Sequence, residues 1–533
     1  MPPPEKDPLA AIRPARAIAL ATLASRVLGL LRDKATVYWF PQATADAILL
    51  AWTIPNLFRR LFGEGALSSA LVPVLAETEA REGREGRNRV ARSVIWSLIA
   101  TLAPLTAALV AALLLLPQRW LLLFFESDTT GAETLRLLRF TLPYLLFICV
   151  AGQLQAVANL AGRFFFPALA PALSNLTWIA GAAVAGALAD GGPADATWVA
   201  IGILAGGVLQ VACQWIELYR CGERCLAPAP LRTSEVRDVS RRMAPMVLGL
   251  AAGQINTLLG SFFAEWLVPG EGAVTQLYLG QRLMQLPLGV VGVAIGTAIY
   301  PALARAAARQ DEGELGATLA TALRTTATLC IPAILGLMTL AAPIMVLLFE
   351  GGKLDAAAAA ASGACMAAYA PTLFLQTAVL LLARVDYARG EQRRPVRISL
   401  QAVGVNLVLN ALLVVPLGAV GLALGTTLAT LFNAVALARG LRLATLDVRR
   451  ELLAPGLRVV AATAVMALVV VAWRLLFAER GAAIVTVGGI ALGLLAFAGA
   501  ARLLARAELA ELVALLRSRR QRGREPPRTM PPE

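Results

Sequence analysis

The chain has 533 residues, of which 58% are hydrophobic and 15% are charged, and its formal net charge is +14. Soluble globular domains carry about 25% charged residues, so this composition excludes a soluble protein and indicates an all-α polytopic membrane protein. Histidine is absent, which removes the commonest general base and metal ligand of enzymes. The six cysteines are scattered and form no C-x-x-C pair, so we interpret them as small core residues.

A search for apolar runs of about 20 residues predicts 14 transmembrane helices. Their ranges are 16–38, 44–75, 92–116, 133–160, 167–189, 196–220, 240–268, 273–304, 318–349, 356–386, 395–416, 418–438, 455–477 and 482–504. The segment before the first helix has prolines where a signal peptide would have an apolar core, so we expect this helix to remain in the membrane.

The charges of the loops test this count, because lysine and arginine accumulate in short cytoplasmic loops. The loops after helices 2, 6, 10 and 12 are rich in arginine, whereas those after helices 1, 5, 7 and 11 are short and nearly free of positive charge. The alternation predicts that both termini are cytoplasmic. It also accounts for the net charge without any nucleic-acid partner.

The chain repeats itself at an offset of 228 residues. Four helix-breaking residues match at this offset: Pro73 with Pro301, Pro143 with Pro371, Gly162 with Gly390, and Pro167 with Pro395. Because each repeat holds an even number of helices, the pattern predicts two parallel six-helix lobes with a cavity between them, a transporter layout, plus two C-terminal helices. The predicted segments are 1–15 (N-terminal), 16–222 (N-lobe), 223–239 (cytoplasmic interlobe linker), 240–445 (C-lobe), 446–504 (helices 13 and 14) and 505–533 (basic tail).

The first two predicted helices carry charges at depths where charge is expensive. These residues are Arg26, Arg32, Asp33, Asp46, Arg59, Arg60 and Glu64, and helix 8 adds Arg282. Residues of opposite sign share helix faces, and Pro55 is expected to kink the second helix. The excess arginine predicts a cavity for an anionic headgroup, since a guanidinium binds phosphate through a bidentate fork. The alternative is that some of these arginines snorkel to the interface or pair with Asp46 and Glu64 to lock helices.

Several segments carry a resemblance to a known family. They are SRVLGLLRD (25–33), DAILLAWTIPNLFRRLFGEGALSSALVPVLAE (46–77), LPYLLFICVAGQLQAVANLAGRFFFPALAPALSN (142–175), QRLMQLPLGVVGVAIGTAIYPALA (281–304) and DYARGEQRRPV (386–396). The sequence resembles the MurJ/MviN lipid II flippases of the multidrug/oligosaccharidyl-lipid/polysaccharide exporter superfamily. The likeness is densest in helices 1, 2, 4 and 8.

The resemblance implies a transporter rather than an enzyme, in the bacterial inner membrane. The implied substrate is the undecaprenyl-diphosphate-linked cell-wall precursor, moved from the cytoplasmic to the periplasmic face by alternating access. Matched motif by motif, the family's cavity arginines fall on Arg26, Arg32, Arg59 and Arg282, with Asp46 as the acidic partner. Alternative readings are export of another polyprenyl-linked glycan and a membrane scaffold that does not transport.

Two departures from the family pattern bear on the site. The acidic residues that usually flank the helix 8 arginine are Gln281 and Gln285 here, which puts an ion-pair switch at Arg282 in doubt. Some relatives bind sodium in the C-terminal lobe, and the matching positions are Asn406, Asn410 and Thr426. The alternative for these three is hydrogen bonding between helices.

The tail at 505–533 is predicted to be an amphipathic helix followed by a basic end. Its arginines, Arg517, Arg519, Arg520, Arg522 and Arg524, would lie against anionic cytoplasmic lipid. A partner in the cell-wall synthesis machinery is left open.

Overall fold

A computed structural model of the chain describes residues 8–63, 66–123, 125, 127–285, 303, 305–306, 308–309, 311–441 and 449–512. Within these ranges it is helical, with one isolated β-bridge between Gly351 and Leu354, so the all-α class is confirmed. The helices that pass a length and hydropathy test for a membrane span number eight, or nine with a bent pair counted as one span, among the described residues. The count of 14 stays a prediction.

The helices of the first half do not match the predicted segments one for one, since the predicted helix at 133–160 is two helices bent by 45° to each other. The helices of this half are α1 (Pro8–Trp39), α2 (Gln42–Phe58), a π-helical turn (Arg59–Gly63), α3 (Ala66–Leu115), α4 (Gln118–Leu122), α5 (Asp128–Thr141), α6 (Tyr144–Leu160), α7 (Phe165–Ala187), α8 (Thr197–Arg220) and α9 (Ser234–Leu267). The predicted loop between helices 2 and 3 is itself helical. The chain reverses within α3 at Gly83, whose φ of 70° is open to glycine and strained for other residues.

The second half begins with a helix at 273–285, α10. It continues with α11 (Glu312–Thr339), α12 (Ala341–Phe349), α13 (Ala356–Tyr369), α14 (Thr372–Ala388), α15 (Arg393–Gly440), a π-helical turn (Arg449–Leu453), α16 (Ala454–Leu476) and α17 (Ala482–Leu504). A short helix at 506–512, α18, follows. The predicted helices 11 and 12 are the two arms of α15, which reverses at Gly418. The predicted basic residues beyond 512 lie outside the described residues.

The 228-residue repeat predicted from the sequence is present in the helix boundaries. Helices α5 and α13 are both 14 residues long and α6 and α14 are both 17, and within each pair the boundaries differ by 228. The side chains of Ser127 and Asp355, 228 apart, cap the amino termini of α5 and α13. The equivalent elements are therefore built by the same local signals.

The chain divides into two compact units by its internal contacts. The first holds the described residues up to Thr275 together with Gly351–Leu354, and the second holds Gln276–Glu350 and the described residues from Asp355 onward. Helix α9 packs against α3 and belongs to the first unit. The lobe boundaries inferred from the repeat stay a prediction.

Candidate substrate-binding site

Arg32 is buried in the first unit and its charge is neutralised there. Its Nη2 and Nε lie 2.6 and 3.0 Å from Asp33 Oδ1, and its Nη1 donates to Asn175 Oδ1 at 3.3 Å. The guanidinium also sits 4.6 Å from the centre of the Trp178 ring, a cation–π distance. Only 7% of Arg32 and 3% of Asp33 are exposed.

This cluster fastens α1 to α7. Asn175 donates to the backbone oxygen of Ser25 at 3.0 Å, and Trp178 Nε1 donates to Thr36 Oγ1 at 3.0 Å. Asn175 and Trp178 thus each make a second contact to α1, so replacing either of them would remove a hydrogen bond between the two helices. The geometry gives Arg32 and Asp33 a packing role, and substrate binding by Arg32 stays a prediction.

Arg26 differs from Arg32. It is half-buried on α1, and its side chain makes no ion pair or hydrogen bond within the described part of the chain. It lies 13 residues before the end of α1 at Trp39, which is about 20 Å along a helix axis. That distance places its charge within a hydrocarbon layer of about 30 Å if α1 spans the membrane.

The backbone hydrogen bonding of the second predicted helix is interrupted at Pro55. Because proline has no N–H, the carbonyl of Ala51 one turn earlier loses its helical donor. Thr141 Oγ1 on α5 supplies a hydrogen bond to that oxygen at 3.2 Å. A π-helical turn begins four residues after Pro55, and such turns occur frequently at functional sites.

Arg59 and Arg60 are half-buried on this π-helical turn. Arg59 Nε donates to Asn56 Oδ1 at 3.0 Å, which holds one edge of its guanidinium. Glu64, predicted as an acidic neighbour, lies outside the described residues.

Asp46 accepts three hydrogen bonds from the stretch where α10 begins. Its Oδ2 lies 2.8 Å from the backbone nitrogen of Gly272, and its Oδ1 lies 2.7 Å from the backbone nitrogen and 2.5 Å from the Oγ1 of Thr275. The carboxylate is 2% exposed and caps the first turn of that helix. The sequence predicted Asp46 as a partner of arginine, and that role stays a prediction.

Arg282 is half-buried on α10 and belongs to the second unit. Gln281 beside it is half-buried and Gln285 is exposed. The structure therefore brings Arg32 and Asp33 together, and the convergence of Arg26, Arg59 and Arg282 on one cavity stays a prediction.

The predicted sodium ligands form a hydrogen-bonded row between the two arms of α15. Asn410 Nδ2 donates to Asn406 Oδ1 at 3.1 Å and Asn406 Nδ2 donates to Thr426 Oγ1 at 3.4 Å. Asn410 Oδ1 is buried and has no hydrogen-bond donor among the described residues. All three groups are neutral and mostly bonded to one another, whereas hard cations take several oxygen ligands, carboxylates prominent among them. These contacts favour a lock between the arms, and a sodium site stays a prediction that they do not support.

Sequence reasoning missed Asn175, Trp178 and Thr275 as partners of the charged residues. Asn175 and Trp178 lie one turn apart on α7 and therefore share a face. A polar residue and a tryptophan at this spacing in an apolar helix indicate a polar contact inside the protein. The sequence does not show that the partner is Arg32, which lies 143 residues from Asn175.

Comparisons with known proteins identify the family. The family model described as lipid II flippase MurJ matches residues 37–491. A probable lipid II flippase MurJ of Bdellovibrio bacteriovorus is 31% identical over 489 residues, covering 90% of this chain and 91% of its own. A counterpart in Haemophilus influenzae is 34% identical over 421 residues, covering 75% of this chain and 80% of its own.

Solved structures agree on the fold. A lipid II flippase MurJ in an inward closed conformation has a TM-score of 0.75 at 22% identity, covering 92% of this chain and 99% of its own. An inward-facing multidrug resistance MATE transporter of the MOP superfamily has a TM-score of 0.65 at 16% identity, covering 80% of this chain and 98% of its own. The match to the family model and the identity to full-length relatives carry the assignment: this multi-pass membrane protein belongs to the MurJ family of lipid II flippases, which are transporters and not enzymes.

Proposed function

We propose that this protein moves lipid II from the cytoplasmic to the periplasmic leaflet of the inner membrane by alternating access, with both of its own termini in the cytoplasm. Family membership over residues 37–491 supports the substrate class. Transporters with this fold have been solved in inward-facing and outward-facing conformations, which supports the alternating mechanism.

The chemistry of the substrate explains why such a protein needs buried arginines. A diphosphate carrying a sugar–peptide head cannot cross hydrocarbon unaided, because burying its charges without partners costs far more than thermal energy supplies. Guanidinium groups offer planar bidentate hydrogen bonds to phosphate. The polyprenyl chain is apolar and needs no such help.

Arg26 is the observation that carries the proposal. It is a half-buried guanidinium at mid-helix without a carboxylate partner in the described part of the chain, and intramembrane ionisable groups mark substrate pathways. We infer that Arg26, Arg59, Arg60 and Arg282 bind the diphosphate. Arg32, already neutralised by Asp33, supports the wall of the site by holding α1 to α7.

The test replaces Arg26 and Arg32 with alanine in a bacterial strain depleted of its own lipid II flippase. We expect Arg26→Ala to reach the membrane at the normal level and fail to restore growth. Arg32→Ala should lower the amount of folded protein instead, because it removes the guanidinium that pairs with the buried carboxylate of Asp33 and bonds to Asn175. Arg81→Ala is the matched control, since the Arg81 side chain is 75% exposed.

A direct readout is the fraction of lipid II that a membrane-impermeant hydrolase can reach at the outer face. Wild-type activity in this assay with loss in Arg26→Ala supports the proposal. Normal flipping by Arg26→Ala would refute the role of Arg26. Failure of the well-expressed wild type to flip or to complement would favour another polyprenyl-linked glycan or a scaffold role.

A further inference from the structure

The segment between α8 and α9 is fastened to α3 rather than hanging free. Trp96 Nε1 donates to the backbone oxygens of Leu226 and Ala227 at 3.3 and 3.0 Å. Ser97 Oγ donates to the backbone oxygen of Leu231 at 2.5 Å. Three backbone oxygens of the segment thus accept hydrogen bonds from two neighbouring side chains of α3.

A buried ion pair fixes the start of the same segment. Arg87, only 1% exposed, lies 2.5 Å through Nη2 from Glu223 Oε1 and 2.7 Å through Nη1 from Glu79 Oε1. Glu223 is itself 3% exposed. Since Glu79 precedes the reversal at Gly83 and Arg87 follows it, one guanidinium joins the two arms of α3 and the segment after α8.

The first residues of the segment alternate between exposed and buried. Glu223 and Cys225 are buried, whereas Gly222 and Arg224 are exposed. Flexible interdomain linkers are exposed and make few contacts, so this pattern argues against a loose tether.

The reactivity of the Cys225 thiol reports whether the segment is docked on α3. It is fully buried, with its sulfur 4.0 Å from Asn88 Oδ1. Burial and the nearby Glu223 raise the pKa of the thiol to about 12, against a smaller opposing effect of Arg87. Because the thiolate is the reactive form, alkylation of Cys225 should be slow while the segment stays docked.

We propose that residues 223–231 form a strap that Arg87 clamps to α3, and that the strap stays clamped throughout transport so that α9 moves with the first unit. The clamping follows from the contacts alone. The persistence through the cycle rests on the proposed function.

Thiol labelling tests the clamp without any transport assay. The purified full-length protein is treated with a hydrophilic maleimide, and the modification of each cysteine is followed by mass spectrometry. We expect Arg87→Met to increase the labelling rate of Cys225 at least tenfold, because Glu223 is left buried without its cation. Cys330, buried in the second unit, should stay protected and so report that the variant is folded.

Arg89→Met is the matched control. Arg89 lies two residues away and pairs with Glu82 and Glu235, but half of its side chain is exposed, so Cys225 should keep its wild-type rate within twofold. If Arg87→Met also exposes Cys330, the double variant Arg87→Met/Glu223→Met decides, since it removes both buried charges and should protect Cys225 better than the single variant. Wild-type labelling of Cys225 in folded Arg87→Met, or no gain of protection in the double variant, would overturn the clamp.

The second half of the proposal is tested during turnover. In inverted membrane vesicles containing lipid II, Cys225 should be labelled at the same rate, within twofold, with and without active flipping. Faster labelling during flipping would show that the strap releases and would overturn its persistence. If no flipping is detected, the proposed function fails, whereas the labelling of Arg87→Met still decides whether the strap is clamped.

Discussion

Replacing Asp46 with alanine should strongly lower the free energy of unfolding of the protein. The carboxylate is 2% exposed and holds the backbone nitrogens of Gly272 and Thr275 and the Thr275 hydroxyl. In the alanine variant all three donors lose this acceptor inside the protein. The amino-terminal turn of α10 then loses its cap.

The magnitude follows from these contacts. A lost helix cap costs about 0.5–2 kcal/mol, and a hydrogen bond to a charged group contributes about 1.5–3 kcal/mol. Since the three bonds share one carboxylate and do not add fully, we expect about 3–5 kcal/mol for Asp46→Ala, the range seen when one partner of a buried charged contact is removed. Asp46→Asn keeps one oxygen for Thr275 but turns an N–H₂ group toward the Gly272 N–H, so we expect roughly half that loss.

The assay is thermal unfolding of the purified protein in detergent, followed by tryptophan fluorescence. The expected order of midpoints is wild type, Thr275→Val, Asp46→Asn, then Asp46→Ala, because Thr275→Val removes only the hydroxyl donor, about 1 kcal/mol. Asp238→Ala, at an exposed position, should match the wild type. An Asp46→Ala midpoint equal to that of Asp238→Ala would refute the capping role, and loss of transport at full stability would restore Asp46 as a charge partner of the arginines.

Two further predictions concern contacts outside the arginine cluster. Thr141→Val should lower the free energy of unfolding by about 1–2 kcal/mol, because the Ala51 carbonyl loses its hydrogen-bond donor. The loss should be much smaller in a Pro55→Ala background, where position 55 regains an N–H for that oxygen. Equal losses in the two backgrounds, measured by thermal unfolding, would contradict this account. Although burial acts to raise it, the pKa of Asp195 is lowered overall by hydrogen bonds from Thr197 and by its ion pair with Arg136. The stabilisation from this carboxylate is therefore present above its unfolded pKa of about 3.9 and is lost as the pH falls through its lower folded value. In the Asp195→Asn variant, the thermal unfolding midpoint should depend less on pH between pH 5 and pH 3 than it does in the wild type. A pH dependence equal to that of the wild type would contradict the pairing.

Much of the fold could be predicted from the sequence because its signals are local. Apolar runs mark the helices, and Pro143 and Pro371 start helices of equal length at the predicted offset. Gly162 and Gly390 both adopt positive φ where those helices end. Around Gly83 the sequence predicts a loop, whereas the structure has helix on both sides of this residue. The reason is that a run of arginines indicates the cytoplasmic side of the membrane but does not distinguish a helix from a loop.

The site was predictable only as a set of charges. The sequence placed Arg26, Arg32 and Asp33 on one helix and indicated which faces they share. It did not predict that Arg32 would be neutralised by its chain neighbour, because a long guanidinium side chain reaches across the angle that separates two helix positions.

By itself, the amino-acid sequence determined the class of this protein, its internal repeat and its family, since hydropathy, helix-breaking residues and motifs are read along the chain. Only the tertiary structure decided which charges are already paired. Asp46 caps a helix more than 220 residues away, and Arg87 holds a strap 136 residues away, where 223 minus 87 gives the separation. The partner of a buried charge depends on which distant segments pack together, and no local pattern of residues carries that information.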